Sequence, residues 1–253
     1  MSAIAIALVV FVCAFGGALI GMWLSNTLPE HHLSSASKDA VGLGIGMIAT
    51  MTALILGLMT ASAKGAFDAK DAAVKHVAVT VLALDRMLAD YGPETKQTRD
   101  VLREAVAARI ATTWPDEPSG PVKIDFSAKT AETEGIAKQI AGLTPQSPAQ
   151  SWFQAQALSL SSDVLETRFT VFGSNGSSVS LPFLVVVVFW LTVIFVSFGL
   201  RAPRNATVIA VLLVCALSVA ASVFLIMEMD TPFDGVMKIS SAPMRFTLAH
   251  LGQ

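Results

Sequence analysis

The most informative stretch of the chain is an uncharged run at residues 40–63, which lies between Asp39 and Lys64. A helix needs about 20 predominantly apolar residues to cross a bilayer, so this run predicts a membrane-spanning helix. Its small and polar residues recur at helical spacing and form what we call the stripe: Asp39, Gly42, Gly46, Thr50, Ala53, Gly57, Thr60 and Lys64. A stripe of this kind favours either close packing against another helix or the lining of a water-filled path.

Three further uncharged stretches are long enough to cross a membrane, at residues 3–24, 181–200 and 205–227. The first contains Gly17 and Gly21, whose spacing favours close contact between helices. With the run at 40–63 as span two, the pattern predicts an all-α integral membrane protein with four transmembrane helices.

Residues 64–178 predict a helical soluble domain inserted between spans two and three. The apolar residues that continue the spacing of helix two are Val74, Val77, Val81, Leu84 and Leu88. Helix two is therefore expected to project beyond the membrane, with this face buried, until Tyr91-Gly92-Pro93 ends it. Further helices are predicted over 94–113 and 128–142, and from Ser147 to about 172, where Ser147 and Gln150 match a capping box.

These patterns divide the chain into three parts. Residues 1–63 hold transmembrane helices one and two, and 64–178 form the helical soluble domain. Residues 179–253 hold helices three and four with a short C-terminal tail.

The composition agrees with membrane insertion and excludes several classes of function. The chain is 53% hydrophobic and 14% charged, whereas soluble domains carry about a quarter charged residues. A net charge of −2 without a basic cluster argues against nucleic-acid binding. Cys13 and Cys215 lie in apolar runs and indicate no disulfide framework. There is no GxSxG, HExxH or P-loop motif, so we expect neither an enzyme nor a cofactor.

Two clusters near the ends of spans invite a metal hypothesis. Glu30-His31-His32 lacks a third ligand at a fixed spacing, and a solvated or headgroup loop is the better interpretation. Glu228 and Asp230 directly follow span four. They are interpreted as a hydrated helix end, with a cation site as the alternative because hard cations need several oxygen ligands. No metal site is expected at either cluster.

Arg201 and Arg204 lie in the short turn between spans three and four. Their simplest role is to anchor the topology of the chain at the membrane surface. The alternative is that they pair with Asp39 or with lipid phosphate on the same side of the membrane.

Four motifs resemble those of a bacterial family called bestrophin-like. They are LPEHHL at 28–33, Gly57-Leu58 before a segment with Ala, Lys and Phe, FGLRAPRN at 198–205 and EMDTPFDG at 228–235. The resemblance implies a remote relation to bestrophins, which are pentameric anion or cation channels whose pore is lined by the second transmembrane helix. Two departures stand out. The stripe is made of small residues where a bestrophin neck has large hydrophobic ones, and acids near 228–234 are few where bestrophins have a dense calcium-binding run.

The leading functional hypothesis is an oligomeric ion channel or pore with helix two lining the axis, a pentamer if the resemblance holds. A non-conducting scaffold or sensor whose helical soluble domain binds a partner is the alternative. The expected location is a bacterial inner membrane, where the chain contacts the lipid bilayer and further copies of itself. The basic residues on the side of the soluble domain, which include Lys64, Lys70 and Lys75 next to span two, slightly outnumber those on the opposite side and favour a cytoplasmic soluble domain. An outward-facing domain is the alternative.

Overall fold

The computed structural model describes residues 2–27, 35–115, 131–172, 181–233 and 235–253. Within these ranges the regular structure is helical and contains no strand, which confirms the all-α class. The helices are α1 (Ala3–Thr27), α2 (Ser35–Tyr91), α3 (Lys96–Thr113), α4 (Ala131–Ala141), α5 (Pro148–Phe172), α6 (Leu181–Arg201), α7 (Ala206–Asp230) and α8 (Ala242–His250), with a 3₁₀ turn at Pro93–Thr95.

Four of these helices, α1, α2, α6 and α7, are long and apolar enough to cross a membrane, which confirms the predicted spans. Helix α2 has 57 residues and is therefore about 85 Å long at 1.5 Å per residue. A bilayer core is about 30 Å thick, so α2 is much longer than a span requires. It ends at Tyr91, where the Tyr91-Gly92-Pro93 sequence predicted its end.

The chain divides into two compact units. The first contains residues 1–67 and 177–237, and the second contains 68–176 and 238–253. The division falls within α2, a few residues beyond Lys64. The segment 238–253, which the sequence pattern grouped with spans three and four, belongs to the second unit.

In the first unit, α1 packs closely against α6 because each helix places a glycine against the backbone of the other. A Cβ atom on Gly21 would collide with the backbone carbonyl of Val196, and one on Gly199 would collide with that of Ala18. The expectation that Gly17 and Gly21 favour close helix contact is confirmed. The buried residues around this contact that form one apolar cluster are Ala14, Ala18, Met22, Phe195, Leu212 and Ala216.

In the second unit, the predicted apolar face of α2 is buried. Val74, Val81, Leu84 and Leu88 are buried, as predicted, and Val77 is half-buried. The buried apolar residues of α3 and α4 in the same unit are Leu102, Val106, Ile110, Ile136 and Ile140.

The chain after residue 237 is more ordered than the tail that the sequence suggested. It contains α8, whose Thr247 hydroxyl donates to the Ala78 carbonyl on α2 at 2.8 Å. The indole Nε1 of Trp114 donates to the Ile239 carbonyl at 2.7 Å. These bonds join residues far apart in sequence, so no local sequence pattern could predict them.

The predicted start of α5 is confirmed with one change of partner. The Ser147 hydroxyl accepts from the Gln150 backbone N–H at 3.2 Å, which is the expected cap. The Gln150 side chain accepts from the Gln146 N–H at 2.7 Å and donates to the Tyr91 carbonyl at 3.1 Å. The side chain therefore ties α5 to the end of α2 as well as capping its own helix.

Candidate functional site

The stripe lies on the surface of the chain. Seven of its members are exposed, and Gly42 is half-buried. A Cβ atom added at Gly46 or Gly57 would meet no atom within 4 Å. Packing of the middle of the stripe against α1, α6 or α7 of the same chain is therefore not observed.

The membrane-spanning part of α2 has three distinct faces, about 120° apart at 3.6 residues per turn. The first is buried in the first unit and includes Thr52, Met59 and Ala63. The second is the stripe. The third consists of large apolar residues that are exposed: Leu43, Met47, Met51, Leu54 and Leu58. Since a lipid-facing surface is normally large and apolar, the third face suits lipid and the stripe does not.

The two stripe threonines have satisfied hydroxyl groups. The Thr50 hydroxyl donates to the Met47 carbonyl at 2.8 Å, and the Thr60 hydroxyl donates to the Leu56 carbonyl at 2.7 Å. Each hydroxyl oxygen keeps acceptor capacity for water or a cation. The Lys64 ammonium, at one end of the stripe, lies 5.7 Å from the centre of the Phe67 ring.

Arg201 lies against the other end of the stripe. A Cβ atom on Gly42 would be 2.9 Å from Nη1 of Arg201 and 3.1 Å from Nη2. Glycine at position 42 therefore lets the guanidinium approach the backbone of α2, one helical turn from Asp39. The pairing of Arg201 with Asp39 or with lipid phosphate stays a prediction.

Arg204 has a structural contact that the sequence did not predict. Its Nη2 donates to the Met22 carbonyl on α1, which ties the α6–α7 turn to that helix. In the same turn Asn205 caps α7, because its Oδ1 accepts from the Val208 N–H at 2.8 Å.

Glu228 is buried, which differs from the expected hydrated helix end. Its carboxylate accepts from the Val236 N–H at 2.6 Å and from the Met237 N–H at 3.4 Å. Gly235 between α7 and these amides has φ +91°, and a Cβ atom there would collide with the carboxylate. The EMDTPFDG motif therefore folds the chain back onto its own glutamate. Asp230 is half-buried.

Neither metal hypothesis gains support from the described residues. Within them, no three side chains of His, Cys, Asp or Glu lie close enough together to hold a metal ion. Glu30, His31, His32 and Asp234 lie outside the described residues.

One polar cluster in the second unit was missed by the sequence analysis. Asp85 on α2 is 0% exposed and binds the guanidinium of Arg99 on α3 through two bonds, Nε–Oδ1 at 2.8 Å and Nη2–Oδ2 at 2.9 Å. The Gly252 N–H donates to Oδ2 at 3.1 Å, and Arg99 Nη2 donates to the Gln253 carbonyl at 3.2 Å. The sequence could have indicated a buried carboxylate here, because Asp85 lies four residues after Val81, within the apolar face of α2.

The environment of Arg99 fixes its charge. The hydrogen bond with Asp85 raises the pKa of Arg99, and burial opposes that rise in part. A raised pKa means that the stability contributed by the guanidinium is complete below its ordinary pKa and is lost only above the raised one. Arg99 is therefore charged over the whole working range of pH.

Four apolar spans, a glycine-rich contact between α1 and α6, and a span with an exposed small-residue stripe define a multi-pass α-helical membrane protein. A family model described as Bestrophin-like domain matches residues 12–244. The chain belongs to the Bestrophin-like family, as its motifs predicted. No match was found among curated proteins or among solved structures.

Proposed function

We propose that the protein is an oligomeric ion channel in which the stripe of α2 lines a central axis. The observation that carries this proposal is the exposure of the stripe beside a separate, large apolar face on the same span. Small and polar groups that include Lys64 are poorly suited to lipid, so a further element or water is expected to cover them. Membership of the Bestrophin-like family supports the same interpretation.

Several copies about one axis are needed, because one four-helix unit cannot enclose a hydrated path with an outward-facing stripe. We extend the proposal to a pentamer in a bacterial inner membrane with the second unit in the cytoplasm. The pentamer rests on the bestrophin resemblance. Native mass spectrometry in mild detergent is expected to show a homo-oligomer, and a purely monomeric protein would contradict the channel.

Cysteine accessibility tests the stripe directly. Cys13 and Cys215 are first replaced by alanine, because Cys215 is exposed and Cys13 is partly so. Thr50→Cys is then treated with a charged, membrane-impermeant thiol reagent. We expect rapid reaction, because a thiol in a water-filled path can ionise and the thiolate is the nucleophile.

The matched control is Met51→Cys, the next residue of α2, which lies about 100° around the helix from Thr50 on the large apolar face. A thiol facing lipid stays protonated and out of reach of a charged reagent, so this variant should be inert. An inert Thr50→Cys, or equal reactivity of both variants, would refute pore lining by this face.

Current across a planar bilayer distinguishes the channel from a non-conducting scaffold or sensor. The purified protein should conduct, and reagent bound at Thr50→Cys should reduce the current while the Met51→Cys current stays unchanged. Absence of current from a correctly assembled oligomer would favour the scaffold hypothesis.

A further inference from the structure

A groove lies on the surface of the first unit where α6 ends and α7 begins. Its volume is about 290 Å³, near the lower end of the roughly 300–1,000 Å³ typical of small-molecule sites. Its wall is mainly apolar, and the lining residues are Phe198, Arg201, Ala202, Thr207, Val208, Val211 and Leu212. Phe198 and Val211 are exposed along the groove, which leaves it open at the side.

The groove lies at the ends of two spans, where the hydrocarbon core gives way to the headgroup layer. Its lining therefore changes along its length, from apolar residues such as Val211 inside α7 to the arginine that closes α6. The guanidinium of Arg201 lies close to the backbone of Gly42 on α2 in the same unit. Arg204 adds a second positive charge to the same turn, which contains no acid.

We propose that this groove binds one anionic phospholipid, with an acyl chain against Phe198 and Val211 and the headgroup phosphate at Arg201. Both chemical requirements of such a ligand are present in one place. An acyl chain gains from contact with apolar side chains in a concave surface, and a phosphate gains from the planar donors of a guanidinium. The groove suits a lipid better than a free phosphate, because its wall offers phosphate little except the arginine.

Native mass spectrometry of the full-length protein tests the site, with phosphatidylglycerol and phosphatidylcholine as the lipid probes and glycerol phosphate as the headgroup alone. We expect phosphatidylglycerol to bind about fivefold more tightly than phosphatidylcholine, the factor that one basic residue contributes at an anionic surface. Glycerol phosphate should bind poorly. Equal binding of the two lipids would overturn the proposal, and tight binding of glycerol phosphate would replace it with a free-phosphate site.

Three variants test separately what the arginine charge and the apolar wall of the groove contribute to lipid binding. Arg201→Gln should abolish the preference for phosphatidylglycerol, and Arg201→Lys should retain part of it. Val211→Trp fills the groove from an exposed position and should weaken both lipids. Arg86→Gln, which alters an exposed arginine in the second unit, is the control and should bind as the unaltered protein does.

The outcome does not depend on one variant folding. If Arg201→Gln fails to assemble, Val211→Trp and Arg201→Lys still decide, and normal lipid binding by Val211→Trp would overturn the proposal. Disulfide cross-linking between copies through Val211→Cys would also overturn it, since a neighbouring subunit would then occupy the groove. None of these measurements depends on conduction, so the lipid site and the channel can fail separately.

Discussion

Removal of the arginine that binds Asp85 is expected to destabilise the second unit strongly. Asp85 is fully buried, and Arg99 supplies two of its hydrogen bonds. In Arg99→Ala the carboxylate would keep only the Gly252 N–H among these partners. Breaking a buried ion pair by deleting one partner costs about 3–5 kcal/mol. Because Arg99 is 17% exposed, water can enter the space it leaves, and we expect the lower end, about 3 kcal/mol.

The assay is thermal unfolding of the full-length protein in detergent, followed by far-ultraviolet circular dichroism. A loss of about 3 kcal/mol corresponds to a fall in Tm of roughly 6–12 °C for a chain of this length. The control is Lys75→Ala, which breaks an ion pair with Asp71 whose lysine is 62% exposed. Exposed pairs contribute about 0–1 kcal/mol, so the control should shift Tm little.

A second variant tests the physical reason. Arg99→Ala combined with Asp85→Asn buries no charge, so the double variant should be more stable than Arg99→Ala alone. Hydrogen exchange at the Gly252 amide should also accelerate in Arg99→Ala, because its acceptor loses its fixed position. A Tm shift in Arg99→Ala no larger than that in Lys75→Ala, or a double variant less stable than Arg99→Ala, would show that the unpaired Asp85 carboxylate is not the source of the loss.

Two further predictions concern packing. Val81→Asp places a charge at a position that is 3% exposed and should lower the free energy of unfolding by several kcal/mol. Val79→Asp on the same helix is the control, because Val79 is 68% exposed and the variant should unfold at nearly the normal temperature. Equal Tm values for the two variants would contradict burial of this face. Gly21→Leu overpacks the contact of α1 with α6 and should cost about 1–3 kcal/mol or more, measured as a reduced yield of assembled protein. Gly16→Leu is the control and should assemble normally, because a Cβ atom at Gly16 has no neighbour within 4 Å. Loss of assembly in both variants would contradict a specific effect of the α1–α6 contact.

Sequence alone determined the parts of the fold that depend on near neighbours along the chain. Each span follows from an uncharged run of sufficient length, and the continuation of α2 to Tyr91 follows from apolar residues at helical spacing. The Ser147 cap follows from residues within one turn. These features are predictable because helical hydrogen bonds and the side-chain faces of a helix are set by positions three and four residues apart.

Tertiary structure decided which face of each helix is covered and where the buried charges find partners. The small-residue stripe of α2 was equally compatible with packing and with exposure until the position of Met59 and Ala63 in the core showed which face points inward. Arg99 and Gly252, the partners of Asp85, lie 14 and 167 residues away from it in sequence. The amides that bind Glu228 depend on a turn at Gly235 that reverses the chain. No pattern of short period specifies such pairs, because a buried charge requires a partner in space and the fold alone determines which residue is near enough to supply it.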